Sequence, residues 1–152
     1  MASGIVPQVL KLRYIKLRPD AIVPTQAHDG DAGSDVYAVE AGELPPGGRA
    51  QIPTGIAVAI PDGCAGLLLP RSGLAHKHGI TLTNAPGLID SGYRGELRVL
   101  MLNTDPENSF SVEPGDRIAQ LVIVNYVPPQ WTEVEEFDQT GRGGGGFGST
   151  GV

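Results

Sequence analysis

Asn84-Ala85-Pro86-Gly87-Leu88-Ile89-Asp90-Ser91-Gly92-Tyr93-Arg94-Gly95-Glu96-Leu97 places an amide, a carboxylate and a phenol in one short run broken by three glycines. Pro86-Gly87 and Ser91-Gly92 are turn dipeptides. The apolar pair Leu88-Ile89 between them is expected to form the arms of a short hairpin. Asn84, Asp90 and Tyr93 would then stand beside backbone N–H and C=O groups at its mouth. Such a mouth can read the edge of a flat heterocycle and hold one general base beside it. Taken alone, the run favours an ordinary Gly-rich turn with a solvated Asp, so the decision rests on the flanking chain.

That chain is punctuated in the same way. Its 152 residues include 22 Gly and 13 Pro, with 18% charged and 5% aromatic residues. This composition favours short strands and tight turns over long helices. One domain of this length buries roughly 68–70% of its unfolded surface. Strands are expected at Leu10–Tyr14, Val36–Val39, Cys64–Leu69, Ile80–Thr83, Glu96–Asn103 and Arg117–Val127. Arg49–Ile60 reads as a strand pair or one long bent strand, and Trp131–Glu136 as a last short strand. One short helix fits around Ser72–Lys77, stopped by Gly79. The fold expected is a single all-β barrel or sandwich.

The formal net charge of −6 argues against a general nucleic-acid binder. A polyanionic ligand would need a few placed cations, backbone amides or a metal ion. The lone Cys64 reads as a small buried filler. His28, His76 and His78 form no zinc pattern. With no signal-peptide apolar region and no long apolar span, a soluble cytoplasmic protein without membrane attachment is expected.

Three further segments carry candidate chemistry. Pro70-Arg71-Ser72-Gly73 ends a buried strand and opens the short helix, where Arg71, Ser72 and free amides would hold an anion; an ordinary Ser N-cap with a surface Arg fits the same residues. In Gly115-Asp116-Arg117-Ile118-Ala119-Gln120, Arg117 and Gln120 fall on opposite faces of a regular strand. One would serve a ligand while the other joins an ion pair with Asp31 or Asp35. The end of the chain, Gly141 onward, formally matches a dinucleotide fingerprint, but no βαβ unit surrounds it. It is either a disordered tail or an arm that orders over a ligand, with Arg142, Ser149 and Thr150 for phosphates and Phe147 for stacking on a base.

Five segments, in order, resemble the motifs of the homotrimeric dUTPase family. They are Asp31-Ala32-Gly33-Ser34-Asp35, Pro70 through Ala75, Asn84 through Glu96, Gly115 through Leu121, and Arg142 through Gly151. Any one is weak; five in this order are highly specific. The resemblance implies a jelly-roll β-barrel of the β-clip type with one short helix. Residues 1–140 would form the barrel, and 141–152 a flexible arm closing over an active site of the trimer. The sites would be shared between subunits.

The implied reaction is dUTP plus water to dUMP plus pyrophosphate, with Mg²⁺ on the triphosphate, limiting uracil entry into DNA and supplying dUMP for dTMP synthesis. By similarity, Asp90 activates the water that attacks the α-phosphorus. Arg71, Ser72, Gly73 and Gln120 hold the phosphate chain, and Arg142, Ser149 and Thr150 reach it from the arm. Asn84, Gly87 and Ile89 pair with uracil, Tyr93 packs under the deoxyribose, and Met101 belongs to the same nucleoside set. Phe147 stacks on the base. Asp35 meets the metal only through water, while Asp31 and Arg117 give structural support. A dCTP deaminase is the nearest alternative, and the complete arm and the Asn84–Tyr93 run argue against it. A non-catalytic nucleotide-responsive binding protein is the other, although it would have no use for Asp90.

Overall fold

The computed structural model describes residues 9–146. Ten strands and one helix run in the order β1 Arg13–Lys16, β2 Ser34–Tyr37, β3 Gly42–Leu44, β4 Arg49–Ala59, β5 Cys64–Leu69, α1 Ser72–His78, β6 Ile80–Leu82, β7 Gly87–Ile89, β8 Glu96–Asn103, β9 Phe110–Val112 and β10 Arg117–Asn125. They form two four-stranded sheets, β1-β4-β8-β6 and β2-β10-β5-β7, with β3-β9 as a separate ribbon. All pairings are antiparallel. The architecture is an all-β jelly roll with one short helix.

Alternation along the strands explains the core. In β8, Leu97, Val99, Met101 and Asn103 point inward while Arg98 is exposed. Across from them lie Val36 of β2, Leu68 of β5 and Ile118, Ala119 and Leu121 of β10, all in the same apolar cluster. Buried Asn103 is fully used: its Nδ2 donates to the carbonyls of Leu44 (3.0 Å) and Asn108 (2.8 Å), and its Oδ1 accepts from Asp105 N (2.9 Å). This ties the end of β8 to the β3-β9 ribbon, which no periodicity in the sequence announces.

Several expectations change. β4 is one long strand, with its pairing to β8 interrupted between Pro53 and Ala57. β1 begins at Arg13 and is exposed along its length, because it is an edge strand that no other described element covers. Trp131–Glu136 forms no strand; Trp131 and nearby Phe137 stand 91% and 87% exposed, since no sheet edge among the described residues meets them. Cys64 is only partly buried, with its Sγ 3.3 Å from Asn125 Oδ1.

The largest revision concerns the opening stretch. β7 does not pair within its own run as a hairpin. It joins the edge of β5, with Leu68 opposite Gly87, Leu67 opposite Leu88 and Gly66 opposite Ile89. A three-residue strand gains more ladder bonds on an existing sheet than two-residue arms would gain alone.

Candidate functional site

Three of the distant motifs meet at one end of the second sheet. β10 lies between β2 and β5, with Gln120 facing Asp35 on one side and Leu69 on the other. Arg71 follows β5 by two residues, and α1 starts at once. A cavity of about 600 Å³ is lined there by residues that include Asp31, Asp35, Arg71, Ser72, Gly73, Arg117 and Gln120.

Asp35 organises this cavity. It is only 9% exposed. Its Oδ1 accepts from Arg71 Nε at 3.0 Å, and its Oδ2 lies 3.5 Å from Arg117 Nη1. Arg71 Nη1 also donates to the carbonyl of Arg117 at 3.2 Å. The carboxylate thus holds two guanidinium groups side by side that would otherwise repel. Arg71 Nη2 has no hydrogen bond among the described residues, so it is free for a ligand oxygen. The helix does not use Ser72 as its N-cap: Arg71 occupies that position and no side chain caps the first turn. The Ser72 hydroxyl and the first amides therefore remain available.

Arg117 and Gln120 line the same cavity, contrary to the parity of a regular strand. The register of β10 against β2 shifts between Arg117 and Ala119. A bulge inserts one residue, so Ile118 and Ala119 are both buried and the next polar residue returns to the face of Arg117. The adjacent apolar pair between two polar residues was the available signal. Gly33 lies beneath Gln120: a Cβ there would come 2.7 Å from Gln120 Oε1 and 3.3 Å from its Cβ, so a side chain would push the Gln120 amide out of its present place.

The nucleoside-type residues gather elsewhere. Asn84, Asp90 and Tyr93 are exposed, Ile89 half-buried and Gly87 buried. The turn after β7 is held by Tyr93 N donating to Asp90 O at 3.1 Å and by Arg94 Nη1 donating to the carbonyls of Ser91 (2.6 Å) and Tyr93 (2.8 Å). The phenol of Tyr93 donates to Glu96 O at 2.9 Å, and its ring lies over Gly95, where a Cβ would come 2.6 Å from Cζ. Arg94 and Glu96 are contributors to this turn that the sequence reading passed over. Met101 is a correction: its side chain is 0% exposed in the core, because β8 alternation turns it inward, so it offers a nucleoside no surface.

None of the residues lining the Asp35 cavity comes from the 84–97 run. The register gives the reason. Ile89 faces Gly66, and Arg71 lies five residues further along. At ~3.3 Å per residue, Arg71 is roughly 16 Å from the Asp90 end of β7.

Arg142 is exposed and its Nε donates to Gly145 O at 2.9 Å. Phe147, Ser149 and Thr150 lie outside the described residues. Among the described residues, no three His, Cys, Asp or Glu side chains converge as a metal site. A hard cation that keeps its waters and rides on substrate phosphates needs no such cage, and the acidic pair Asp31 and Asp35 in the cavity fits that mode. No helix among the described residues is long and apolar enough to cross a membrane.

The fold and this cavity define the class: a jelly-roll enzyme of the dUTPase type. The chain belongs to the dUTPase family, whose model matches residues 19–151. It is 53% identical over 142 residues to the deoxyuridine 5'-triphosphate nucleotidohydrolase of Thermobifida fusca (strain YX), covering 93% of this chain and 79% of that protein. It is 49% identical over 152 residues to the protein of the same name from Cutibacterium acnes, covering 100% of this chain and 95% of the relative. Among solved structures, the Staphylococcus bacteriophage 80alpha dUTPase with dUPNHPP superposes with a TM-score of 0.88 at 35% identity, covering 95% of this chain and 100% of that one. The dUTPase from phage phi11 of S. aureus, described with a structural Mg(II) ion, superposes at 0.78 with 31% identity, over 84% of this chain and 99% of that one.

Proposed function

We propose that this chain hydrolyses dUTP to dUMP and pyrophosphate in a homotrimer whose active sites are shared between subunits. The observation that carries the shared site is the separation along β5. A general base must sit within hydrogen-bond reach of the water it activates. Asp90 and Arg71 of one chain are too far apart to serve one α-phosphate, so the base-reading turn of one subunit works beside the phosphate cavity of another.

In this reading Asp90 takes the proton of the attacking water. Arg71, Ser72, Gly73 and Gln120 hold the phosphate chain, and the Ser72 hydroxyl faces the α–β bridging oxygen, where leaving-group charge builds. The Asp35 carboxylate keeps Arg71 and Arg117 in place before substrate arrives, which is the preorganisation electrostatic catalysis requires, while Asp31 holds its own loop through His28. Mg²⁺ carried on the triphosphate would neutralise oxygen charge, with Asp35 reaching its waters through lone pairs the arginines leave free.

Asn84 and backbone groups of Gly87 and Ile89 pair with the uracil edge. A cytosine would leave some of them buried and unpaired, at a cost of about 1–3 kcal/mol each. A uracil edge held against the backbone of Gly87 and Ile89 would leave no room for a thymine methyl, and Tyr93 under the deoxyribose would exclude a 2′-hydroxyl. Residues 141–152 form the arm that closes the site, with Arg142, Ser149 and Thr150 on the phosphates and Phe147 on the base. The activity would serve the cytoplasmic nucleotide pool, keeping uracil out of DNA and supplying dUMP.

The test is pyrophosphate release with Mg²⁺ from dUTP, dTTP, dCTP and UTP, one at a time. Release from dUTP alone is expected. Ammonia from dCTP would indicate a deaminase, and dUTP binding without turnover would indicate a nucleotide sensor.

A further inference from the structure

The turn that carries Asp90 and Tyr93 is anchored to the neighbouring strand β4 of the first sheet by one side chain. Glu96 begins β8, and its side chain is 15% exposed. Its Oε1 accepts from Gly55 N at 2.8 Å, and its Oε2 lies 2.7 Å from Arg98 Nη2. Gly55 sits where β4 breaks register against β8, at φ 68°, so its amide has left the ladder and needs another acceptor. Neighbouring contacts stiffen the same place: Thr54 Oγ1 donates to Leu97 O at 2.7 Å, and Leu17 N donates to Gly55 O at 2.8 Å. Glu96 is therefore locked between a β4 irregularity and an arginine, and its own carbonyl receives the Tyr93 phenol.

We propose that Glu96 is a positioning residue that sets sugar discrimination through Tyr93. It fixes the carbonyl on which the phenol rests, and so the height of the ring above Gly95. This deepens the functional reading above and rests on it. Without the Gly55 anchor, the first residue of β8 moves with the turn. Tyr93 then loses its fixed acceptor, and the ring no longer blocks a 2′-hydroxyl.

The experiment compares kcat and KM for dUTP and UTP in Glu96→Ala, Glu96→Asp and Glu96→Gln, each alone and with Tyr93→Phe. Glu96→Asp is one methylene too short to reach the Gly55 amide from the same backbone, and it serves if the alanine variant does not fold. The dUTP-to-UTP ratio of kcat/KM is expected to fall about tenfold in the Ala and Asp variants. Glu96→Gln, which keeps an acceptor for Gly55, is expected to recover most of the ratio. In the Tyr93→Phe background the Glu96 substitutions are expected to add little, because both act through one contact. An unchanged ratio in Glu96→Asp, or full additivity with Tyr93→Phe, overturns the proposal. Absence of pyrophosphate release from dUTP by the wild-type chain overturns the functional reading itself, so the two failures are separable.

Discussion

Asp35 binds Arg71 through Oδ1 at 3.0 Å, joining a residue of the first motif to one from the second across two intervening strand pairings. With Arg117 on its other oxygen, this carboxylate neutralises two cations held close together in the cavity. Asp35→Ala is expected to leave both guanidinium groups facing each other without a counter-charge. The loss of stability should be about 2 kcal/mol, below that of a fully buried pair because Arg117 is half exposed. Urea denaturation measures it. KM for dUTP should rise in the same variant, while Asp35→Asn, which keeps hydrogen-bond capacity, should lose less stability.

Asp90→Asn should lower kcat by about 10²–10⁴-fold while leaving nucleotide binding intact, because the amide cannot accept the water's proton. Stopped-time pyrophosphate assays and equilibrium binding of a non-hydrolysable analogue separate the two. Retained turnover would remove Asp90 from the role of base.

Sites shared between subunits, as proposed, make a sharper prediction. Asp90→Asn and Arg71→Ala chains should each be inactive alone. Unfolded and refolded together in equal amounts, they should recover activity at roughly a quarter of the sites, those that draw an intact Asp90 from one subunit and an intact Arg71 from another. A site contained within one chain would recover nothing.

Truncation after Gly141 should leave a folded trimer by sedimentation with activity reduced by at least about tenfold, since the arm would contribute only when substrate is present. Loss of the trimer would show that the arm serves assembly instead.

A pH dependence follows from Asp105. Its carboxylate accepts from the amide of Asn108 at 2.8 Å and from that of Glu107 at 2.9 Å. The Asn108 amide first, then that of Glu107, holds the pKa below the ordinary carboxylate range. A group depressed in the folded state stabilises above its unfolded pKa, about 3.9, and the contribution disappears as pH falls through the lower folded value. Asp105→Ala should therefore have a lower urea midpoint than wild type at pH 7, with the gap closing below about pH 4. A gap independent of pH would show that the carboxylate's charge is not what matters.

The sequence by itself determined the class of fold, the order of the motifs and the family to which the chain belongs. Gly and Pro density favours short strands over long helices, and alternation in Glu96–Asn103 marks an inward and an outward face. The helix from Ser72, with Gly79 at φ 64° ending it, was legible because capping chemistry is local. Which residues share a cavity was decided only by tertiary structure. Counting by twos separates Arg117 from Gln120, and one bulged residue reunites them. Leu88-Ile89 looked like hairpin arms until the free edge of β5 offered a longer ladder. Met101 followed its strand's alternation into the core. Local chain stiffness and turn preference act over a few residues and can be read in order. Strand pairing joins positions such as Asp35 and Gln120, which lie 85 residues apart, and nothing in either neighbourhood names the other.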